Sequence, residues 1–74
     1  MAISCGDPKR LLDVIRSLYP NAVITGPNAI GTYKVVFPDG LVVNVFANGT
    51  VGFQGKDSPI KEEISRQVEI INRE

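Results

Sequence analysis

Residues 30–56 constrain this chain more than any other part of it. They read IGTYKVVFPDGLVVNVFANGTVGFQGK, three runs rich in β-branched and aromatic residues, parted by Pro38-Asp39-Gly40 and by Asn48-Gly49-Thr50. Such runs, broken by turn residues, form antiparallel strands. A meander is therefore expected over 30–37, 41–47 and 51–55.

Register decides what such a sheet displays, because a slip of one residue exchanges its two faces. A Pro-Asp-Gly loop suits a three-residue hairpin with glycine in the left-handed region, which pairs Phe37 with Leu41, Val35 with Val43 and Tyr33 with Val45. That face is wholly apolar. A two-residue Asn-Gly turn in the second hairpin would leave both faces mixed. Closing the loop over three residues, or with a bulge, pairs Ala47 with Val51 and Val45 with Phe53, and it extends the apolar face. The expected core side is Tyr33, Val35, Phe37, Leu41, Val43, Val45, Val51 and Phe53.

Two helices flank the meander. Asp7-Pro8 joins an N-cap acceptor to proline at the first helical position, and Leu11, Leu12, Val14, Ile15, Leu18 and Tyr19 follow on one side before Pro20. Ser58-Pro59 repeats the signal, with Ile60, Ile64, Val68 and Ile71 as an apolar stripe to about Asn72. A short strand is expected at Ala22-Val23-Ile24-Thr25, ahead of a turn at Gly26-Pro27-Asn28. The fold class is α+β: an antiparallel, curved sheet of three to five strands, with an N-terminal and a C-terminal helix on one face. Residues 1–74 make one domain, and residues 1–6 are expected to fray.

The opposite face then carries Thr32, Lys34, Val36, Val42, Asn44, Phe46, Gly52, Gln54 and Lys56. No carboxylate is on it; Asp7, Asp13, Asp39, Asp57, Glu62, Glu63, Glu69 and Glu74 all fall in turns or helical segments. Eight basic residues balance eight acidic ones, so no whole-molecule field favours a polyanion, but the sheet face is locally positive. Amides that hydrogen-bond, a phenylalanine that stacks and lysines that meet phosphate are what a nucleic-acid surface uses. Lys34, Val36, Val42, Asn44, Phe46, Gln54 and Lys56 are the candidate contact residues. Exposed valines beside an aromatic equally mark a protein contact or a dimer patch.

Catalytic equipment is sparse. At 74 residues a single core supplies only about 3–5 kcal/mol, which leaves little for a large enclosed site. Histidine, the commonest general base and metal ligand, is absent. Glu62 with Arg66 and Glu69 with Arg73 stand at the spacing of surface helix pairs rather than of a metal site. Gly49, Gly52 and Gly55 lie in strands and turns, not ahead of a helix as a phosphate loop requires. No enzyme activity, metal or cofactor is expected. The single cysteine, Cys5, excludes an internal disulfide, and no run reaches the roughly 18 apolar residues of a membrane span. With no basic-then-apolar leader, a cytoplasmic, non-membrane protein is expected.

Phe46-Ala47-Asn48-Gly49-Thr50-Val51 followed by Gln54-Gly55-Lys56 resembles the strand-turn-strand of the TATA-box-binding-protein fold. The nearest likeness is to the N-terminal, substrate-binding domain of type 3 bacterial ribonucleases H. There a helix similar to Arg10-Leu11-Leu12-Asp13-Val14-Ile15-Arg16-Ser17-Leu18-Tyr19 precedes a meander ending as Phe53-Gln54-Gly55-Lys56 does, and then a helix; the likeness spans residues 8–72. The resemblance implies a half repeat whose exposed sheet face binds duplex nucleic acid, DNA minor groove in one family and RNA/DNA hybrid in the other. By position, Asn44, Phe46, Gln54 and Lys56 would be contacts. The chain departs from the ribonuclease pattern at Ala47 and Thr50, where basic residues are usual, and at Gly52, where a bulkier apolar residue is usual. The acidic metal-binding domain is missing, so hydrolysis does not carry over. The TATA-box protein builds its saddle from two repeats, so one copy would need to homodimerise.

Two functional classes follow. One is a stand-alone module that lays its sheet across duplex DNA or RNA/DNA hybrid. The other is a small protein-interaction factor, such as an antitoxin, an inhibitor or a phage- or plasmid-encoded anti-defence protein, that docks on a protein or homodimerises.

Overall fold

The computed structural model describes residues 2–73. Its elements run β1 (Ala2–Ser4), α1 (Pro8–Leu18), β2 (Val23–Thr25), β3 (Tyr33–Val36), β4 (Leu41–Val45), β5 (Thr50–Gly55) and α2 (Pro59–Arg73). The strands make one antiparallel sheet in the order β1-β5-β4-β3-β2. The architecture is α+β, as expected.

Both helix starts follow from local chemistry. The Asp7 carboxylate accepts the Arg10 N–H at 3.2 Å, and the Ser58 hydroxyl accepts that of Ile60 at 3.1 Å, each satisfying a donor the first turn leaves unpaired. Leu11, Leu12 and Ile15 of α1 and Ile64, Val68 and Ile71 of α2 are buried against Val35, Phe37, Leu41, Val43, Val45 and Val51. Tyr33, Phe53 and Ile60 pack half-buried at the margin. Both helices thus cover one face of the sheet. On the helix surfaces Arg73 reaches Glu69 at 3.8 Å, while Arg66 reaches Glu63 at 3.5 Å, one residue from the Glu62 partner expected.

The first hairpin has the expected register, Val35 opposite Val43 and Tyr33 opposite Val45. The second keeps the expected faces but slides by two residues: Val45 opposes Val51 and Val43 opposes Phe53, where Ala47 had been paired with Val51. The cause is that the two turns are copies of one another. In each, a phenylalanine N–H donates across the loop, Phe37 to the Leu41 carbonyl at 2.9 Å and Phe46 to that of Thr50 at 2.8 Å. In each, a side-chain oxygen two residues on accepts the closing N–H, Asp39 from Leu41 at 3.1 Å and Asn48 from Thr50 at 3.0 Å. Gly40 at φ +99° and Gly49 at φ +96° finish the loops, in a region that costs any other L-residue about 1–2 kcal/mol. The second loop is therefore Ala47-Asn48-Gly49, and a shift of two preserves every face.

Two expectations of strand extent also fail. Residues 2–4, read as part of a fraying terminus, form β1 along β5, with Ile3 opposite Val51. The reason lies outside the segment: the Cys5 N–H donates to the Gly49 carbonyl at 2.7 Å, and the Asn72 amide of α2 bridges the Gly6 N–H at 2.7 Å and the Ser4 carbonyl at 3.0 Å. Cys5 is accordingly buried. Residues 30–32, expected in a strand, belong to a loop. Asn28 Oδ1 accepts the N–H groups of Ile30 and Thr32, both at 3.0 Å, leaving Ile30 76% exposed and drawing Thr32 inward.

Candidate nucleic-acid interface on the outer sheet face

The sheet face turned away from the helices is uncovered. Cross-strand pairing arranges it in rows. One runs Thr25, Lys34, Asn44, Gly52 across β2, β3, β4 and β5; the next runs Val23, Val36, Val42, Gln54. Of the seven candidates, Lys34, Val36, Val42, Asn44 and Gln54 stand together in these rows.

Asn44 Nδ2 donates to Gln54 Oε1 at 3.0 Å, linking the two amides diagonally across β4 and β5. Phe46 lies just beyond the end of β4. A Cβ built on Gly52 would stand 3.8 Å from Phe46 Cε2, so the edge of the ring reaches back to Gly52. Phe46 is half-buried as a result.

One candidate, Lys56, and one other residue of the expected face, Thr32, stand differently from the sequence reading. Lys56 lies past the end of β5, its N–H donating to the Gly40 carbonyl at 3.1 Å and its stem running beside Gly40. It is a rim residue at the first turn, not a member of the face, and its charge helps hold the Asp39 carboxyl below its ordinary range. The larger causes of that lowering are hydrogen bonds from Ser58 and from the Leu41 N–H. Thr32, expected on the outer face, is buried, and its Oγ1 has no hydrogen-bond partner. Sequence reasoning missed Val23, 57% exposed, and Thr25. Their parity on β2 puts them on this face, but β2 was not placed in the sheet order from sequence.

The outer strand positions of the described residues carry no carboxylate. Asp39 and Asp57 stay at the rim, Asp57 engaged with Lys61 at 3.5 Å. Family models, curated proteins and solved structures yield no match to this chain. Its function is therefore to be argued from this surface. Among the described residues no group of three or more His, Cys, Asp or Glu is placed to hold a metal ion, and no helix is long and apolar enough to cross a membrane. An apolar hollow of about 250 Å³ opens at the end of the sheet between the start of α1 and the 26–32 loop, lined by Pro8, Leu12, Pro27, Tyr33 and Ala47 among others. Lys9 and Phe46 also line it, and no carboxylate, thiol or hydroxyl other than that of Tyr33 does.

Proposed function

We propose that this chain is a non-catalytic binding module whose outer sheet face receives duplex nucleic acid, DNA or RNA/DNA hybrid. The observation that carries this reading is the sorting of charge: an electrically balanced chain puts Lys34 on an uncovered sheet face, one strand in from the β2 edge, and no carboxylate shares the described strand positions of that face. Lys34 and the rim residue Lys56 would meet phosphates; Asn44, Phe46 and Gln54 would lie over sugars and base edges. The resemblance to the TATA-box-binding-protein fold and to the ribonuclease domain points the same way.

A second reading, a protein partner or a homodimer in a cytoplasmic setting, is favoured by Val23, Val36 and Val42 in one row beside the open edge of β2. An edge strand without lysine or proline is a template for pairing. Face-to-face self-pairing is disfavoured, because a two-fold contact sets Lys34 of one copy against the same surface of the other.

Titration of blunt DNA and RNA/DNA duplexes at about 50 and 200 mM salt separates the two. Two phosphate contacts predict an affinity loss of roughly tenfold between those salts. Salt-insensitive or undetectable binding leaves the protein-partner reading in place.

A further inference from the structure

We infer that the outer face contains a subsite for one unpaired nucleotide, built from Phe46, the Asn44–Gln54 pair and Lys34; this rests on the nucleic-acid reading above and adds a single-stranded element to the duplex.

The first component is the ring. The Phe46 ring reaches Gly52, its Cε2 3.8 Å from where a Cβ would stand, and it is only half-buried. A half-exposed aromatic ring on a sheet face is a stacking platform, and any base can use it because every base has a π-face. A ring whose edge is propped on the sheet at Gly52 is placed to receive a base that has already left the stack rather than to wedge between stacked ones.

The second component is the amide pair. Once Asn44 Nδ2 has donated to Gln54 Oε1, Asn44 Oδ1 remains as an acceptor and Gln54 Nε2 as a donor. If both amides invert, the bond persists and the free donor and acceptor change places. An adjacent donor and acceptor of either order is the complement of a Watson–Crick edge, which in all four bases offers a neighbouring donor and acceptor. In a duplex those edges are consumed by pairing. The reader therefore takes an unpaired base and selects weakly among the four.

The third component is the cation. Lys34, Asn44 and Gly52 form one cross-strand row, so the exposed Lys34 ammonium arises two strand spacings, roughly 10 Å, from the glycine that the ring reaches. A base on Phe46 thus leaves its backbone phosphate toward Lys34.

The test uses fluorescence anisotropy at about 50 mM salt with three probes: a blunt duplex, the same duplex with a four-nucleotide overhang, and the overhang strand alone. The overhang should tighten binding by about fivefold or more, and Phe46→Leu should remove that gain, so that the overhang probe and the blunt duplex bind the variant equally. Phe46→Trp supplies a second readout, since the chain has no tryptophan. Its emission should be quenched by the overhang and not by the blunt duplex, and the quenching on titration reports on contact at position 46 itself. A blunt duplex that binds with no gain from the overhang, or a Phe46→Trp emission indifferent to it, overturns the subsite and leaves the duplex reading standing. Binding of the single strand without the blunt duplex supports the subsite and overturns the duplex reading. No binding to any probe overturns both.

Discussion

The two faces of this sheet come from the same five strands and answer to different demands. On the inner face Val35, Val43, Val45 and Val51 are fully buried under both helices; on the outer face their immediate neighbours Lys34, Val36, Asn44 and Gly52 meet no other element. Alternation along a strand ties the two, so fixing the inner set fixes which residues are displayed. The inner face specifies the fold and leaves the chemistry of the outer face unconstrained. A sequence can then keep carboxylates off one face at little cost in stability.

The sharpest way to break this contrast is to put the same charge on each face. Val43→Asp buries an unpaired carboxylate and removes a packed side chain, a loss of more than about 4 kcal/mol, comparable with the whole stability expected for a domain of this size; it should be unfolded by circular dichroism. Asn44→Asp, the adjacent residue, should fold with stability within about 1 kcal/mol of the parent in urea, while weakening any polyanion contact. An Asn44→Asp variant that unfolds as well would mean the outer face is covered in solution.

Glycines give a smaller contrast. Gly49 has positive φ, and a Cβ there runs into the Cys5 carbonyl that leads back to β1, so Gly49→Ala should cost about 2–3 kcal/mol by denaturant titration. Gly52→Ala meets only ordinary contact with Phe46 and should change stability by less than about 1 kcal/mol. Equal costs would show that the ring does not lie where described.

The twin turns allow a finer test. Asp39 is held below its ordinary range by hydrogen bonds from Ser58 and the Leu41 N–H, with Lys56 contributing. A carboxyl lowered in the folded state stabilises fully above its unfolded value near 3.9 and loses that contribution as pH falls through the folded value. Between about pH 5 and 2.5 the parent should lose more stability than Asp39→Asn, which has at that turn the amide Asn48 already supplies at the other. Identical pH profiles would remove Asp39 from the account.

Most of the fold was legible because its signals were local and repeated: two cap-plus-proline helix starts, and two loops ending in Asp-Gly or Asn-Gly. The face assignment followed from the demand for one apolar side, and it survived the two-residue slide of the second hairpin because the slide was even. What was not legible depends on distant partners. Nothing in Ala2-Ile3-Ser4 announces a strand whose anchors are Gly49 and Asn72, and nothing in Gly31-Thr32 shows that Asn28 folds that loop inward. In the candidate site the list of exposed residues was legible; the reach of the Phe46 ring to Gly52, the Asn44–Gln54 bond and the rim position of Lys56 needed coordinates, because each depends on which residues the turns bring opposite one another.

The most direct measurement is a paired one on the double variant Lys34→Glu/Lys56→Glu: thermal unfolding alongside duplex titration at about 50 mM salt. Both lysines are exposed, so the melting temperature should stay within a few degrees of the parent while duplex affinity falls by more than about tenfold. An affinity that does not change, or one that falls only together with the melting temperature, would contradict the claim that the outer face binds while the inner face folds.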